Sequence, residues 1–233
     1  MIEERPEEYL RVIGLAAEQG ERATTSYLAR RLSVSMPSVT EMLQRLSTKG
    51  LVEHKARGQV RLTPEGQRLA NSLIRRHRLW ENFLVQCLGF SWDEVHEEAG
   101  RLEHATSPAL EERLVEFLGD LSSCPHGHAI PGRSALQRAL PLSELDSTGS
   151  VRIVRIREET PDFLRRLARL DLRPGRVIEV ERVSAEDGSV WVRIDGKLKE
   201  LVADLAGSVM VERPDEPGSM HDVPTGKQET PPR

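Results

Sequence analysis

The run Ser33-Val34-Ser35-Met36-Pro37-Ser38 constrains this chain more than any other of its length. Proline inside an α-helix removes a hydrogen bond and clashes with the preceding turn. In the first turn its missing N–H has no partner to lose. One helix must therefore stop before this run and another must start in it. Residues 25–32 supply the first, with Tyr27, Leu28, Ala29 and Leu32 apolar. Ser35 is a candidate cap for the second, which runs through Val39, Met42, Leu43 and Leu46 to a Lys49-Gly50 stop. Upstream, Tyr9, Leu10, Ile13, Leu15 and Ala16 mark a helix over 7–19 that ends at Gly20.

Downstream, Leu51-Val52-Glu53-His54 reads as a strand, Arg57-Gly58 as a turn and Gln59 to Thr63 as the returning strand. Helix, tight turn, helix and hairpin together make the plan of a winged helix-turn-helix. The same plan could be a small helical domain whose hairpin never meets DNA. The Pro-started helix, the Lys-Gly stop and the Arg-bearing hairpin favour DNA. Charge agrees. Net charge is −4, but residues 1–80 carry 14 Lys/Arg against 9 Asp/Glu, and residues 81–150 carry 4 against 12. A basic front suits an anionic partner and an acidic middle suits cations.

Thr63-Pro64-Glu65-Gly66 caps a long helix over 65–87, whose later face (Leu73, Ile74, Leu79, Phe83, Leu84) is too apolar to stay wet. Ser91 is a candidate cap for a helix over 92–105, and Ser107-Pro108 opens another over 108–119. These short amphipathic helices are expected to bury their apolar faces against a second copy of the chain, with an intrachain core as the alternative. His77 and Glu81 are four apart and share a helix face, and His96 and Glu103, seven apart, share another. His104 lies beside Glu103. Imidazoles and carboxylates on facing helices are the raw material of a divalent-metal site, although any one such pair is more often a solvated face. Cys124-Pro125-His126-Gly127-His128 also offers a thiol and two imidazoles. That set would suit zinc, or the run is a Pro/Gly-rich turn joining domains.

Residues 134–150 lack periodicity. Beyond them Val151 to Ile156, Val177 to Val183, Val190 to Ile194 and Ser208 to Glu212 alternate as strands, with a short helix from Phe163 to Leu170 and hairpin turns at Asp187-Gly188 and Asp195-Gly196. Several short strands in so few residues imply a small barrel. The Pro-, Gly- and charge-rich residues 214–233 should be disordered. No apolar run is long enough to span a bilayer, and two cysteines make no disulfide framework. A soluble, cytoplasmic protein without membrane contact is expected.

Several motifs occur in order: Glu8-Tyr9-Leu10, Pro37-Ser38-Val39-Thr40, Leu62-Thr63-Pro64-Glu65-Gly66, His77-Arg78-Leu79-Trp80-Glu81, Val95-His96 with Glu103-His104, and Cys124-Pro125-His126-Gly127 with Ile130-Pro131-Gly132. Together they resemble the diphtheria-toxin-repressor-type metal-dependent transcriptional regulators. The resemblance implies a mainly α fold with β. A winged helix-turn-helix DNA-binding domain spans 1–74, a helical metal-binding and dimerisation domain 75–140, a linker 141–150, and an SH3-like domain 151–213 before the tail. It implies DNA contacts from Ser35, Pro37, Ser38, Thr40 and Glu41, and from Arg57, Gln59 and Arg61 on the wing. It implies a homodimer on a pseudo-palindromic double-stranded operator. It implies an ancillary metal site of His77, Glu81 and His96, completed by Glu159 and Asp162, and a primary site of Glu8, Glu103 and His104.

Two departures stand out. Gly100 sits where relatives carry a Cys or Glu ligand. Glu8 is a carboxylate where iron-type members carry Met and manganese-type members Asp. This ligand set contains no sulfur, and carboxylates with imidazole suit Mn²⁺, with Fe²⁺ a close second. The expected function is a manganese-responsive regulator of metal-homeostasis genes. The alternatives are an iron-responsive regulator of the same type, or a winged-helix regulator sensing a non-metal ligand. An enzyme is disfavoured, because no nucleophile elbow, phosphate loop or HExxH helix is present.

Overall fold

The computed structural model describes residues 6–54, 58–133 and 139–213. Arg57 and the tail 214–233 lie outside them. The chain divides into two compact units, Met1–Gln137 with Arg155–Pro174, and Arg138–Val154 with Gly175–Arg233.

The first unit opens with α1 (Pro6–Glu18), α2 (Thr25–Leu32) and α3 (Met36–Thr48), followed by the antiparallel hairpin β1 (Val52–His54) and β2 (Val60–Leu62). Thr24 Oγ1 accepts the Tyr27 N–H at 3.2 Å to start α2, and Ser33, at φ 55°, ends it in the left-handed region. Ser35 Oγ accepts the Ser38 N–H at 3.2 Å to start α3. The turn therefore works as its residues demand, with one helix capped closed and the next capped open. Tyr9, Leu10, Ile13, Leu28, Leu43 and Leu46 form one core with Val52 and Val60 of the hairpin. Leu43 is fully buried between these layers. Leu43→Ala should cost about 2–5 kcal/mol in a urea melt. A loss below about 1 kcal/mol would mean that this core collapses around the gap.

Helix α4 (Pro64–Leu88) is 25 residues long, roughly 37 Å. Thr63 Oγ1 accepts the Gly66 N–H at 3.1 Å and donates to Gly50 O at 2.7 Å, so one side chain caps α4 and clamps it to the entry of the hairpin. Gly89, at φ 71°, closes the far end. The next helix, α5 (Val95–Glu103), is shorter than the expected 92–105. Ser91 does not cap it. Its hydroxyl meets Glu94 Oε2 at 2.5 Å and its carbonyl accepts the Glu94 N–H, which closes a separate turn. That turn buries Trp92, stacked 5.7 Å from the His126 ring with the Arg173 guanidinium 5.4 Å from its own.

Helix α6 (Pro108–Leu118) is capped by Ser107 and tied to α4 by Glu111, which accepts from Arg75 at 3.0 Å and from Arg76 at 2.8 Å. Between α4 and α6 lies an open apolar groove lined by Trp80, Phe83, Leu110, Leu114 and Phe117. Phe117 is 68 % exposed on it. The unit is completed by α7 (Pro161–Arg169), whose Arg165 pairs with Asp93 at 2.9 Å.

The second unit holds β3 (Leu140–Pro141), β4 (Gly149–Ile156, which runs on into the first unit), β5 (Val177–Val183), β6 (Val190–Ile194), β7 (Lys197–Leu201), α8 (Ala203–Ser208) and β8 (Val209–Glu212). They form a six-stranded sheet in the order β3-β8-β4-β5-β6-β7. Asp195 and Gly196, both at positive φ, make the β6–β7 hairpin turn. Strand β7 escapes sequence reading because Lys, Leu and Glu carry its middle and only Leu201 is fully buried.

The expected borders differ from these. Residues 141–150 are not a free linker. Pro141 pairs with Met210, Leu142 is fully buried in a short 3₁₀ turn, and β4 begins at Gly149. These elements are too short to show periodicity. Within 151–213, Arg155–Pro174 groups with the first unit. Polar contacts hold that segment there: the Ile156 N–H donates to His126 O at 2.9 Å, and His128 Nε2 lies 2.8 Å from Ile156 O.

Candidate metal centre and nucleic-acid interface

Among the described residues, three groups of His, Cys and carboxylate side chains come together in the first unit. Each has its ligating atoms within 4.8 Å of one another. The first joins Glu8 on α1 to Glu103 and His104 at the end of α5. His104 Nε2 lies 3.4 Å from Glu8 Oε2 and 3.4 Å from Glu103 Oε1. Glu103 is fully buried, and its Oε1 has no hydrogen-bond partner. Arg11, one turn after Glu8, ion-pairs with Glu8 and brings its Nε to 3.3 Å from Glu103 Oε1. Burial pushes the Glu8 carboxyl up, but Arg11 and then His104 outweigh it and hold the group below its usual range.

The second group is His77 and Glu81, one turn apart on α4, with His96 of α5. Glu81 Oε1 is 3.2 Å from both His77 Nε2 and His96 Nδ1, and those two nitrogens are 3.0 Å apart. The third group shares Glu81. His126 Nδ1 lies 3.4 Å from Glu81 Oε1 and 4.0 Å from Cys124 Sγ. The other His126 nitrogen donates to Trp92 O at 2.7 Å, which fixes the ring and aims Nδ1 at Glu81. Glu159 Oε1 approaches from the α7 segment, 2.9 Å from His128 Nε2 and 3.7 Å from His126 Nδ1. His77 also ties the groups together, its Nδ1 lying 2.5 Å from Glu103 Oε2.

Protons supply the positive charge these carboxylates need. Burial works against a charged His77, yet Glu81 and Glu103 raise it to about 9. Burial likewise opposes a charged His126, which Glu81 raises to about 12. Burial pushes Glu81 up, but His77 and His126 hold it well below the usual carboxylate range. Glu159 is drawn down to about 2 by His128, again against burial. Burial, then the charge on Glu81, pushes the Cys124 thiol up. Imidazoles kept protonated by buried carboxylates mark places where a cation can replace protons. With nitrogen and oxygen donors throughout, and an orphaned oxygen on Glu103, the first group suits a divalent ion. The others suit one as well, with a sulfur donor within reach.

Two of these groups bring together residues expected from the sequence to lie together, Glu8 with Glu103 and His104, and His77 with Glu81 and His96; the third, Glu81 with Cys124 and His126, was not expected. Asp162 is not part of any group. Its side chain is 95 % exposed and pairs with Arg165 on its own helix at 3.0 Å. It lies at the start of α7, pointing to water. Glu159 meets His126 and His128 in place of the expected His77 and His96. The run Cys124 to His128, open in the sequence between a zinc set and a joining turn, places its thiol and an imidazole beside Glu81. A thiol therefore lies among the grouped side chains. The available signal was the Cys-x-His-x-His spacing itself, masked by the Pro and Gly around it. Gly100 adds no side chain, and a Cβ built there would meet nothing within 4 Å.

On α3, Val39, Met42, Leu43 and Leu46 face the core. Pro37, Thr40 and Glu41 are exposed on the opposite side, along with Gln44 and Arg45, which sequence reading did not single out. Ser35 and Ser38 sit at the cap, their hydroxyls 2.9 Å apart. On β2 and its approach, Gln59 is half-buried and Arg61 exposed. No described helix is long and apolar enough to cross a membrane.

Comparison with known proteins bears on both features. Residues 1–60 match the iron dependent repressor N-terminal DNA binding domain, and residues 63–132 match the metal binding and dimerisation domain of the same repressors. Residues 140–213 match the FeoA domain. The chain is 36 % identical over 220 residues to the diphtheria toxin repressor of Corynebacterium diphtheriae, covering 88 % of this chain and 96 % of that one. It is 32 % identical over 224 residues to the iron-dependent repressor IdeR of Mycobacterium leprae, covering 89 % and 96 %. A solved manganese-dependent transcriptional repressor in complex with manganese superposes with a TM-score of 0.81 at 34 % identity, covering 89 % and 99 %. The SH3-like reading of the second unit fits the FeoA match. The chain belongs to the diphtheria-toxin-repressor family of metal-dependent, DNA-binding transcriptional repressors, and it is not an enzyme.

Proposed function

We propose that this protein is a manganese-responsive repressor of metal-homeostasis genes that binds a pseudo-palindromic operator in the cytoplasm as a homodimer. The observation that carries this reading is the Glu8–Glu103–His104 group, because it gathers side chains from α1 and from the end of α5 around one point. Glu8 stands on α1, whose Tyr9, Leu10 and Ile13 share a core with α3. Glu103 and His104 stand at the end of α5. When bound, a divalent ion supplies the charge that lets two carboxylates and an imidazole hold α1 against α5. The position of α3 then follows through the shared core, which biases an orientation equilibrium.

In this reading Glu8, Glu103 and His104 hold the regulatory ion. Glu81, with His77 and His96 on one side and Cys124, His126 and Glu159 on the other, holds a second. Thr40, Glu41 and the exposed flank of α3 meet base edges, while Gln59 and Arg61 meet the backbone. Cap-bound Ser35 and Ser38, with Pro37, set the angle at which α3 enters the groove. The apolar α4–α6 groove, with Phe117 exposed, supports dimerisation there.

Manganese is favoured because the first group offers only oxygen and nitrogen donors. Iron keeps one observation in its favour, the buried Cys124 thiol beside Glu81, since soft donors suit softer ions. The test is an operator-binding titration of the full chain with buffered Mn²⁺ or anaerobic Fe²⁺. Mn²⁺ should restore binding fully after chelation. Activation by Fe²⁺ alone, when both ions are shown to occupy the protein, would overturn the manganese assignment. Binding that ignores chelator would overturn the metal reading of the groups altogether.

A further inference from the structure

The Glu8–Glu103–His104 group already contains a cation, contributed by the chain itself. Arg11 is only 9 % exposed. It lies one turn after Glu8 on α1 and reaches both carboxylates, pairing with Glu8 and standing 3.3 Å from Glu103 Oε1. Burial disfavours its charge, yet Glu103 and then Glu8 hold it more firmly charged than an ordinary arginine. This contact differs from a finished ion pair in one respect. The Arg11 Nε–H is aimed at Glu8 Oε2, 3.4 Å away. Glu103 Oε1 receives the charge of the guanidinium without a hydrogen bond from it, and is buried without any other. The same oxygen lies 3.4 Å from His104 Nε2, in a group whose ligating atoms all lie within 4.8 Å of one another.

We propose that Arg11 sets the cation affinity of this centre. Its guanidinium balances Glu8 and Glu103 in the metal-free protein and competes with a divalent ion for them. The inference rests on reading Glu8, Glu103 and His104 as a cation centre. A fully buried carboxylate beside a half-buried one is poorly stable without a counter-charge, and Arg11 provides one. A divalent ion entering beside a retained guanidinium meets a like charge a few ångströms away, so the centre fills only when free cation is high enough to overcome or displace it. A charge at such a distance shifts the affinity for a single proton by roughly one to three powers of ten. Removing Arg11 should therefore tighten divalent binding at least about tenfold.

A structural ion pair and an affinity-setting one predict opposite results for metal binding. The experiment compares the full-length wild-type chain with Arg11→Met, Arg11→Gln and Arg11→Lys. Mn²⁺ binding is measured by calorimetry, and the thermal unfolding of each chelated protein is followed by circular dichroism. Arg11→Met should unfold at a lower temperature than wild type when metal-free, bind Mn²⁺ at least about tenfold more tightly, and so show a larger metal-induced rise in Tm. Arg11→Lys should bind Mn²⁺ as wild type does. Arg11→Gln serves where Arg11→Met fails to fold without metal. Unchanged or weaker Mn²⁺ binding in the folded neutral variant would overturn the proposal, as would Arg11→Lys binding as tightly as Arg11→Met. Glu103→Gln separates the two levels of the argument. It should lose one Mn²⁺ per chain, and full stoichiometry there would remove the centre itself, whatever Arg11 does.

Discussion

Glu103→Gln is expected to lower metal-dependent operator affinity at least about 100-fold, close to 3 kcal/mol. The substitution keeps the shape of the side chain and removes its charge. Glu103 stands where three interactions meet: His104 at 3.4 Å, Arg11 at 3.3 Å and His77 at 2.5 Å. It is the only fully buried carboxylate of its group, so no water can replace it in holding an ion. Without that ion, its added tie between α1 and the end of α5 is lost, and the reading helix loses its fixed setting. The measurement is fluorescence anisotropy on a duplex selected by the wild-type protein in Mn²⁺. Glu7→Gln is the contrasting variant. Glu7 meets His104 Nδ1 at 2.8 Å, but its side chain is 56 % exposed, and exposed pairs contribute little. Its operator affinity should stay within a few-fold of wild type. Wild-type behaviour from Glu103→Gln would show that metal acts on DNA binding from elsewhere.

Gly66→Ala should destabilise the DNA-binding part by about 3 kcal/mol or more. A Cβ at this position would lie 2.0 Å from Leu51 O and 3.0 Å from Leu51 C. Both are backbone atoms and cannot swing aside. They are held by the Thr63 N–H, which donates to Leu51 O at 3.1 Å, and by the Thr63 hydroxyl, which donates to Gly50 O. The methyl group must therefore push the start of α4 off the entry to the hairpin, and the wing moves with it. Gly100→Ala is the matched control. Gly100 lies in helix α5 with open space around its Cβ position, and Ala in a helix is favoured over Gly by about 0.5–1 kcal/mol. Urea melts of the two chelated variants should shift in opposite directions. A Gly66→Ala protein within about 1 kcal/mol of wild type would mean that the α4–hairpin junction yields.

The local devices of this chain were readable in its residues because each rests on neighbours in sequence. Ser33 to Pro37 ends one helix and starts the next through backbone sterics and the hydrogen bonds of its caps. Thr63-Pro64 and Gly89 bound α4 in the same way, and Asp195-Gly196 turns a hairpin because both residues tolerate positive φ. His77 and Glu81 share a face through helical spacing. Their pairing with His96, and the grouping of Glu8 with Glu103 and His104, was legible only through resemblance to a family, since no spacing connects α1 to α5. Tertiary structure alone decided the rest. It brought Cys124 and His126 to Glu81, because a short Pro/Gly-rich turn has no period from which its direction can be read. It turned Asp162 to water while Glu159, three residues earlier, faces His128, a choice set by where α7 begins. It drew residues 155–174 into the first unit through Ile156, whose N–H donates to the His126 carbonyl and whose own carbonyl meets the His128 ring. It also placed Arg11 between two carboxylates, one on its own helix and one more than ninety residues away. The physical reason is common to all of these. Helix starts, stops and turns are settled by steric and hydrogen-bonding preferences within a few residues, whereas a buried charge is settled by whichever partners the packed core delivers to it.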